Sequence, residues 1–126
     1  MTLAYWCVLV AAYLPIVWTG IAKFGAGGRD FDNAAPRVML AKLDGWRQRA
    51  NWAQLNGFEA FPPFAAAVII AHLTSVPQPR IDALALAFIA ARIVYGVFYL
   101  MNLATLRSVA WMAATGCVVA LFVSAA

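Results

Sequence analysis

The sequence predicts an all-α integral membrane protein that folds as a four-helix bundle. Hydrophobic residues make up 65% of the chain and charged residues 11%, with a mean hydropathy of +0.81, whereas soluble domains carry about 25% charged residues. The 126 residues leave room for about four spans of roughly 20 residues in one domain, residues 1–126. Small residues recur every fourth position in two apolar segments, which lets helices approach closely and is compatible with oligomerisation.

The first predicted span covers residues 3–22 and ends at Lys23. It is too long for the apolar region of a signal peptide and lacks the charged start and cleavage pattern of one, so we expect it to remain as a helix. Residues 24–47 form the only long polar connection. Apolar and basic residues interleave from Val38 to Arg47, which suits a short helix at the level of the lipid headgroups.

The remaining spans are predicted at residues 49–74, 81–104 and 106–124. Pro77 and Pro79 close the second span. Pro62 and Pro63 interrupt it, where they remove two backbone hydrogen bonds and bend the helix. A bend just beyond Glu59 can widen a cleft beside that residue.

The basic residues are distributed unevenly between the connections. The second connection contains only Arg80, whereas the first and third together contain seven: Lys23, Arg29, Arg37, Lys42, Arg47, Arg49 and Arg107. Because loops rich in Lys and Arg stay in the cytoplasm, we expect both termini outside. The net charge of +4 and pI of about 9.5 do not indicate nucleic acid, since the charges flank apolar spans. The expected partner is membrane lipid.

Two sets of polar residues fall inside the predicted spans at helical spacing. The second span carries Arg49, Asn56 and Glu59 at intervals of seven and three, and the third carries, at intervals of three, four and three, Arg92, Tyr95, Tyr99 and Asn102. Each set therefore shares one helix face. Glu59 and Arg92 are expected roughly 15 Å deep, where a charge costs at least about 2.5–3.5 kcal/mol. The two faces predict a polar cleft open to the cytoplasm.

The spacing alone leaves two interpretations open. These residues line a functional cleft, or Glu59 and Arg92 form a structural ion pair with the tyrosines and asparagines as contacts between helices. His72 is interpreted as a polar cap near the membrane interface. Cys7 and Cys117 have no partners at metal-ligand spacing, so no metal site is expected. Four tryptophans near span ends are interpreted as interface anchors: Trp6, Trp18, Trp46 and Trp111.

Several motifs together resemble the MAPEG family, the membrane-associated proteins of eicosanoid and glutathione metabolism. They are the stretch RANWAQLNGFEAFPPF at residues 49–64, Arg92 followed by Tyr99, and the pair Arg107 and Ser108. The similarity extends over the whole chain, and DFDNAAPR resembles the bacterial branch in particular. The resemblance implies a homotrimer in a bacterial inner membrane, with glutathione bound between neighbouring subunits on the cytoplasmic side.

The resemblance also implies roles for individual residues. Asn56 and Glu59 match the polar pair that contacts the amino end of glutathione. Arg107 and Ser108 match the pair beside the sulfur, and are the implied catalytic residues. Lys23 falls where some members have an arginine at the end of the first helix. The implied glutathione-binding residues are Lys23, Arg49, Asn56, Glu59, Arg92, Tyr95 and Tyr99.

The chain departs from the family pattern at four positions. Lys23 keeps the charge of the arginine found in some members but loses its bidentate fork. Gln48 stands where many members have Glu, Leu55 where some have an arginine, and Tyr95 where some have a histidine. These differences leave the expected fold intact and argue against eicosanoid substrates.

The implied cleft suits a thiol substrate. Glutathione has two carboxylates and one ammonium, which match several cations and the Glu59 carboxylate. A positive surplus lowers the pKa of the thiol and so supplies a thiolate nucleophile. We expect a glutathione-dependent transferase or peroxidase whose second substrate is a small apolar electrophile or a lipid hydroperoxide. The alternatives are a non-catalytic lipid-binding or regulatory protein on the same scaffold, and a small proton-coupled transporter, which the lack of an acid in the first span disfavours.

Overall fold

The computed structural model of the protein describes residues 1–25 and 27–126 and folds them into five α-helices without a β-strand. The helices are α1 (Leu3–Phe24), α2 (Pro36–Ala41), α3 (Gly45–Leu73), α4 (Gln78–Leu100) and α5 (Ala104–Ala125). Helices α1, α4 and α5 are long and apolar enough to cross a membrane. Helix α3 is the longest, at 29 residues, but polar side chains in its first half lower its apolar character. The described residues therefore form an all-helical fold of the kind found in membrane proteins.

Hydrogen bonds at one end of the bundle hold α3 antiparallel to α1 and α4. Arg47 Nε donates to the Ala22 carbonyl at 2.8 Å, and Arg47 Nη2 donates to the Lys23 carbonyl at 3.0 Å. Arg49 Nη2 donates to the Leu100 carbonyl at 3.1 Å. These arginines satisfy carbonyls in the last turns of α1 and α4, which have no partner within their own helix. We call this the basic end, and it carries Lys23, Arg47, Arg49 and Arg107.

The opposite, distal end is closed by short polar contacts between α1, α3 and α4. The Thr2 hydroxyl and His72 Nε2 are 3.1 Å apart, and the Tyr5 ring stacks on the His72 ring with centroids 4.2 Å apart. The backbone N–H of Ala4 donates to Asp82 Oδ1 at 2.8 Å. Asp82 thus satisfies a free amide in the first turn of α1, where a negative charge is favourable.

Helices α3 and α4 end in the same way, with a single residue in the left-handed conformation. Ser75 and Asn102 both have φ of 59°, and the amide after each bonds back to the carbonyl five residues earlier, as from Leu103 to Phe98 at 2.9 Å. This is the Schellman arrangement. The expectation that Asn102 extends the polar face of the third span is therefore wrong, because the helix ends at Leu100.

The apolar core lies between α1, α3, α4 and α5 towards the distal end. Phe64 stacks on Phe88 with ring centroids 3.8 Å apart, and both are buried. Nearer the basic end, Trp18 packs where Gly96 leaves room, since a Cβ at Gly96 would overlap the Trp18 ring. Trp18 is only 7% exposed, so its interpretation as an interface anchor is wrong. The other three tryptophans of that group are exposed: Trp6, Trp46 and Trp111.

The connection between α1 and α3 is tied to the bundle by one ion pair. The guanidinium of Arg47 bonds to the Asp30 carboxylate at 2.6 Å and 3.0 Å. These hydrogen bonds hold the pKa of the Asp30 carboxyl below its usual value. Leu40 and Leu43 are buried against the start of α3, so α2 lies on the bundle through its apolar side.

Candidate functional site

A continuous groove runs along α3, α4 and α5 from the basic end towards the middle of the bundle. Two adjoining cavities of about 420 Å³ and 430 Å³ form its outer part, which we call the tyrosine groove because Tyr95 and Tyr99 line both. A third cavity of about 270 Å³, the inner cavity, lies deeper and is bounded by Phe88 and Arg92. Asn56 lines all three cavities, so the three cavities adjoin one another at this side chain.

The α3 wall of the groove presents acceptors. Asn56 Nδ2 donates to Glu59 Oε2 at 3.1 Å, which fixes the amide relative to the carboxylate. Asn56 Oδ1 is buried and has no hydrogen-bond partner among the described residues. A buried polar atom without a partner costs about 1–3 kcal/mol. A ligand that donates to this oxygen and to the Glu59 carboxylate would recover that cost.

The opposite wall alternates cations with aromatic rings. The Arg92 guanidinium lies over the Tyr95 ring at 4.3 Å, and the Arg107 guanidinium lies over the Tyr99 ring at 4.4 Å. Tyr95 and Tyr99 meet edge to face with centroids 5.5 Å apart. Each cation–π contact contributes about 0.5–1 kcal/mol when exposed and about 2 when desolvated. The two guanidinium groups are therefore held against rings, and neither forms an ion pair among the described residues.

Glu59 and Arg92 line the inner cavity together but do not form an ion pair. The only ion pair within 4.0 Å in residues 1–25 and 27–126 is that between Arg47 and Asp30. Arg92 is 5% exposed and contacts Tyr95 instead. Within one chain, the interpretation of Glu59 and Arg92 as a structural lock between helices is wrong.

Three of the sequence-predicted residues have backbone or aromatic partners of their own. Arg49 donates to the Leu100 carbonyl through Nε and Nη2. The Lys23 ammonium lies 4.8 Å from the centre of the Phe31 ring, and Lys23 is not among the residues that line the groove. Ser108 lines the tyrosine groove beside Arg107, but its hydroxyl donates to a backbone carbonyl four residues earlier at 3.1 Å.

Sequence reasoning missed Thr115 and gave Trp111 a different role. Both line the inner cavity, and Trp111 also lines the tyrosine groove. Trp111 follows Arg107 by four residues and Ser108 by three, and Thr115 follows Trp111 by four, which is the spacing of one helix face. These intervals can be read from the sequence, and they place Trp111 and Thr115 on the face of α5 that begins at Arg107 and Ser108.

No cluster of three or more His, Cys, Asp or Glu side chains that could hold a metal ion occurs among the described residues. The groove instead offers guanidinium donors, tyrosine rings, one carboxylate and one free amide oxygen. Such a set suits a small zwitterionic or anionic organic molecule. It defines the class of protein as a helical membrane protein with a polar groove between α3, α4 and α5.

Comparison with known protein families identifies the family within that class. The sequence model of the MAPEG family matches residues 3–126, which is almost the whole chain, and the protein belongs to this family. Neither a curated protein nor a solved structure matches the chain. The resemblance drawn from residues 49–64 and from the arginines of α4 and α5 is therefore confirmed at the level of the family.

Proposed function

We propose that the protein is a glutathione-dependent transferase or peroxidase that acts on small apolar electrophiles or lipid hydroperoxides. The family to which it belongs includes glutathione transferases and peroxidases. The observation that carries the proposal is the opposition of the two groove walls. One wall has Asn56 Oδ1 and Glu59 as acceptors, and the other has Arg92 and Arg107 as donors. Glutathione carries the complementary ammonium and carboxylates.

Glutathione would lie in the tyrosine groove with its sulfur beside Arg107. Its amino group would donate to Asn56 Oδ1 and to Glu59, which have free acceptor capacity. The Arg107 cation would lower the pKa of the thiol and so raise the thiolate fraction at neutral pH. Ser108 would have to give up its bond to the Ala104 carbonyl before it could donate to the sulfur, so Arg107 is expected to contribute more.

The assembly that fits this function is a homotrimer with glutathione between subunits. Lys23 lies away from the groove of its own chain, and a neighbouring subunit would bring a Lys23 to the glutathione carboxylates. Arg49, tied to the end of α4, would shape the groove entrance and add positive charge there. Cross-linking that yields dimers only would contradict the trimer.

The proposed location is a bacterial inner membrane with both termini outside and the groove open to the cytoplasm. The basic end carries four cations (Lys23, Arg47, Arg49 and Arg107), and positive charge favours the cytoplasmic side. A reporter fused after Ala126 that is active only in the cytoplasm should give no signal. A strong signal would reverse the orientation and the side from which glutathione enters.

The experiment that tests the function is ligand stabilisation combined with thiolate absorbance. At 100 times its dissociation constant, a ligand that binds only the folded state stabilises it by about 2.7 kcal/mol. Glutathione should therefore raise the melting temperature of the purified protein, and should produce the near-ultraviolet absorbance of a thiolate. S-methylglutathione should give the thermal shift without the absorbance. Absence of both effects with glutathione would overturn the proposal.

A second candidate function is non-catalytic lipid binding on the same scaffold. It is favoured by the inner cavity, whose walls are largely apolar, among them Ala60, Pro63, Phe88 and Val118. Glutathione binding without turnover of any apolar electrophile or hydroperoxide would select this candidate. Turnover with an electrophile would exclude it as the sole function.

A further inference from the structure

Another, much smaller cavity lies between α1, α3 and α4, and we call it the α1 cavity. Its walls include Ala11, Pro15 and Trp18 of α1, Gly57 of α3, and Phe88 and Arg92 of α4. All of these except Gly57 are buried. The space open to the centre of a water molecule is about 10 Å³, close to the minimum of about 10–15 Å³ that holds one ordered water. The cavity therefore suits a single molecule of that size.

Pro15 leaves one carbonyl of α1 without its usual helical donor. Pro15 lies inside α1 and has no N–H, so it cannot donate to the carbonyl of Ala11 four residues earlier. The Thr19 hydroxyl does not replace this donor, because it donates to the Pro15 carbonyl at 3.0 Å. In membrane-spanning helices, neighbouring groups or ordered waters satisfy such carbonyls. Ala11 and Pro15 both line the α1 cavity, so a molecule in it would lie at the interrupted turn.

Two polar groups at the cavity need opposite hydrogen-bond partners. The Ala11 carbonyl only accepts hydrogen bonds, whereas the Arg92 guanidinium only donates them. An anion would be attracted by the guanidinium but repelled by the carbonyl oxygen, and a metal cation would be repelled by the guanidinium. An apolar molecule would bond to neither group. Water both donates and accepts, and ordered waters in proteins typically join otherwise unsatisfied buried groups in this way.

We propose that the α1 cavity binds one water molecule, which donates to the Ala11 carbonyl and accepts from the Arg92 guanidinium. This water joins α1 to the cation of α4 at the turn that Pro15 interrupts. The guanidinium is then held by two elements, since it also lies over the Tyr95 ring at 4.3 Å. A bridging water is nearly as favourable in enthalpy as a direct hydrogen bond. The proposal does not depend on glutathione or on turnover.

Water contacts measured by NMR on the purified parent protein test this site. The protein is deuterated except at alanine methyl groups and prolines, and is kept in deuterated detergent and chloride-free buffer without glutathione. A bound water should give cross-peaks to the Ala11 methyl group and to the Pro15 δ-protons, with opposite signs in the NOE and ROE spectra. Ala67 is the internal control, because it is buried in the apolar core and does not line the cavity.

The parent protein alone can refute the site. Absence of a water cross-peak at Ala11 would overturn the proposal. Equal cross-peaks at Ala11 and Ala67 would also overturn it, because they would show that water reaches the whole core and is not bound at one place.

Replacement of Arg92 tests the second partner of the water. Arg92→Leu removes the donor and leaves the carbonyl alone, so the cross-peaks at Ala11 and Pro15 should disappear. Arg80→Leu removes an exposed arginine at the distal end and should keep them. An unchanged Ala67 methyl shift in Arg92→Leu shows that the core is intact. Persistence of the cross-peaks in this variant would show that Arg92 does not hold the water.

Two neighbouring alanines of α1 separate filling of the cavity from a general change of the helix. Ala11 lines the cavity and Ala12 does not. Ala11→Val should occupy the space and remove the water cross-peak at the Pro15 δ-protons although Arg92 is present. Ala12→Val adds the same side chain beside the cavity and should keep this cross-peak. Equal behaviour of the two variants would place the water outside the α1 cavity and contradict the assignment.

Discussion

The two sides of α4 differ in how closely their side chains pack and in how polar they are. On the side that faces α1, Gly96 admits the Trp18 ring so closely that a Cβ would overlap it, and Trp18 is 7% exposed. On the side that faces the groove, Arg92 and Tyr95 are each 5% exposed, and the Arg92 guanidinium lies 4.3 Å from the centre of the Tyr95 ring. One side packs a large ring directly against the helix backbone, and the other buries a cation against an aromatic ring, across the groove from the unpartnered Asn56 Oδ1.

We infer that one face of α4 contributes mainly to stability and the other to the proposed binding of glutathione. Close packing of small residues against large ones is the main source of helix association in lipid. The same arrangement repeats where Gly57 meets Pro15, with a Cβ at Gly57 only 2.8 Å from Pro15 Cγ. The contacts of α1 with α3 and α4 can thus hold the bundle together, while the groove carries the cations and the unpartnered Asn56 Oδ1 that we propose bind glutathione. Substitutions on the side that faces α1 should lower stability, whereas substitutions on the side that faces the groove should lower turnover.

The largest effect is expected from Gly96→Val. The new side chain collides with Trp18, and overpacking of a closed contact costs about 1–3 kcal/mol, occasionally more. We expect a loss near the upper end of this range, about 3 kcal/mol, because the overlap is with a rigid ring. Gly116→Val is the matched control, since nothing lies within 4 Å of a Cβ there. Unfolding in detergent measures both, and equal stability of the two variants would contradict the packing argument.

The next effect should appear in turnover and not in stability. Arg107→Leu removes the cation expected beside the thiol, and each unit of thiol pKa corresponds to about 1.4 kcal/mol. Conjugation of a small apolar electrophile should slow by at least about tenfold, and the thiolate absorbance should disappear. Glutathione affinity should largely remain through Arg49, Glu59 and Arg92. Arg80→Leu, an exposed change at the distal end, should leave the rate unchanged, and a normal rate in Arg107→Leu would remove Arg107 from the chemistry.

The two sides of α4 also differ in how well the sequence predicts them. The groove side could be predicted, and the packing against α1 could not. Helical spacing brought Asn56 and Glu59 onto one wall of the groove and Tyr95 and Tyr99 onto the other, because the 3.6-residue period fixes which side chains share a face. It could not predict the burial of Trp18. That burial depends on a missing Cβ at Gly96, 78 positions away, and no local pattern encodes such a pairing.

The charged residues at the basic end also have contacts that the sequence does not predict. The sequence identifies Arg47 as one of seven bases that set the topology, whereas in the structure it satisfies two carbonyls of α1 and binds Asp30. Counting charges gives the side of the membrane on which a loop lies. It does not give the hydrogen-bond partner of one guanidinium, which depends on how the end of α1 meets the start of α3.

The coupling between Glu59 and Arg92 should have a smaller effect on stability. Its size distinguishes two groove-lining residues from a structural ion pair. Glu59 and Arg92 line one cavity without an ion pair within 4.0 Å, so the coupling between Glu59→Gln and Arg92→Leu should be weak, about 0.5–1 kcal/mol. A locked buried pair would instead make one single change cost about 3–5 kcal/mol and the double change less than the sum. A double-mutant cycle on unfolding in detergent measures the coupling. A coupling above about 1 kcal/mol would indicate that Glu59 meets an arginine of a neighbouring subunit.

The smallest effect concerns the loop between α1 and α3 and its dependence on pH. The hydrogen bonds from Arg47 hold the pKa of Asp30 below the ordinary value of 3.8. A carboxyl whose pKa is depressed by folding stabilises the folded loop above that ordinary value, and this contribution is lost as the pH falls through the lower, folded pKa. The Asp30 side chain is 53% exposed, so solvent screening keeps the effect small.

Hydrogen exchange of the Phe31 amide, which donates to the Gly28 carbonyl at 3.2 Å, reports on this loop. At pH 6, Asp30→Asn should lower its protection factor, corrected for intrinsic rate, by about two- to threefold, because a neutral amide gives Arg47 a weaker partner. Below the folded pKa of Asp30, the parent protein should match the variant. Asp32→Asn is the control, since Asp32 accepts from the Ala34 amide and, among the described residues, forms no ion pair with Arg47. A pH dependence that persists unchanged in Asp30→Asn would show that another group controls the loop.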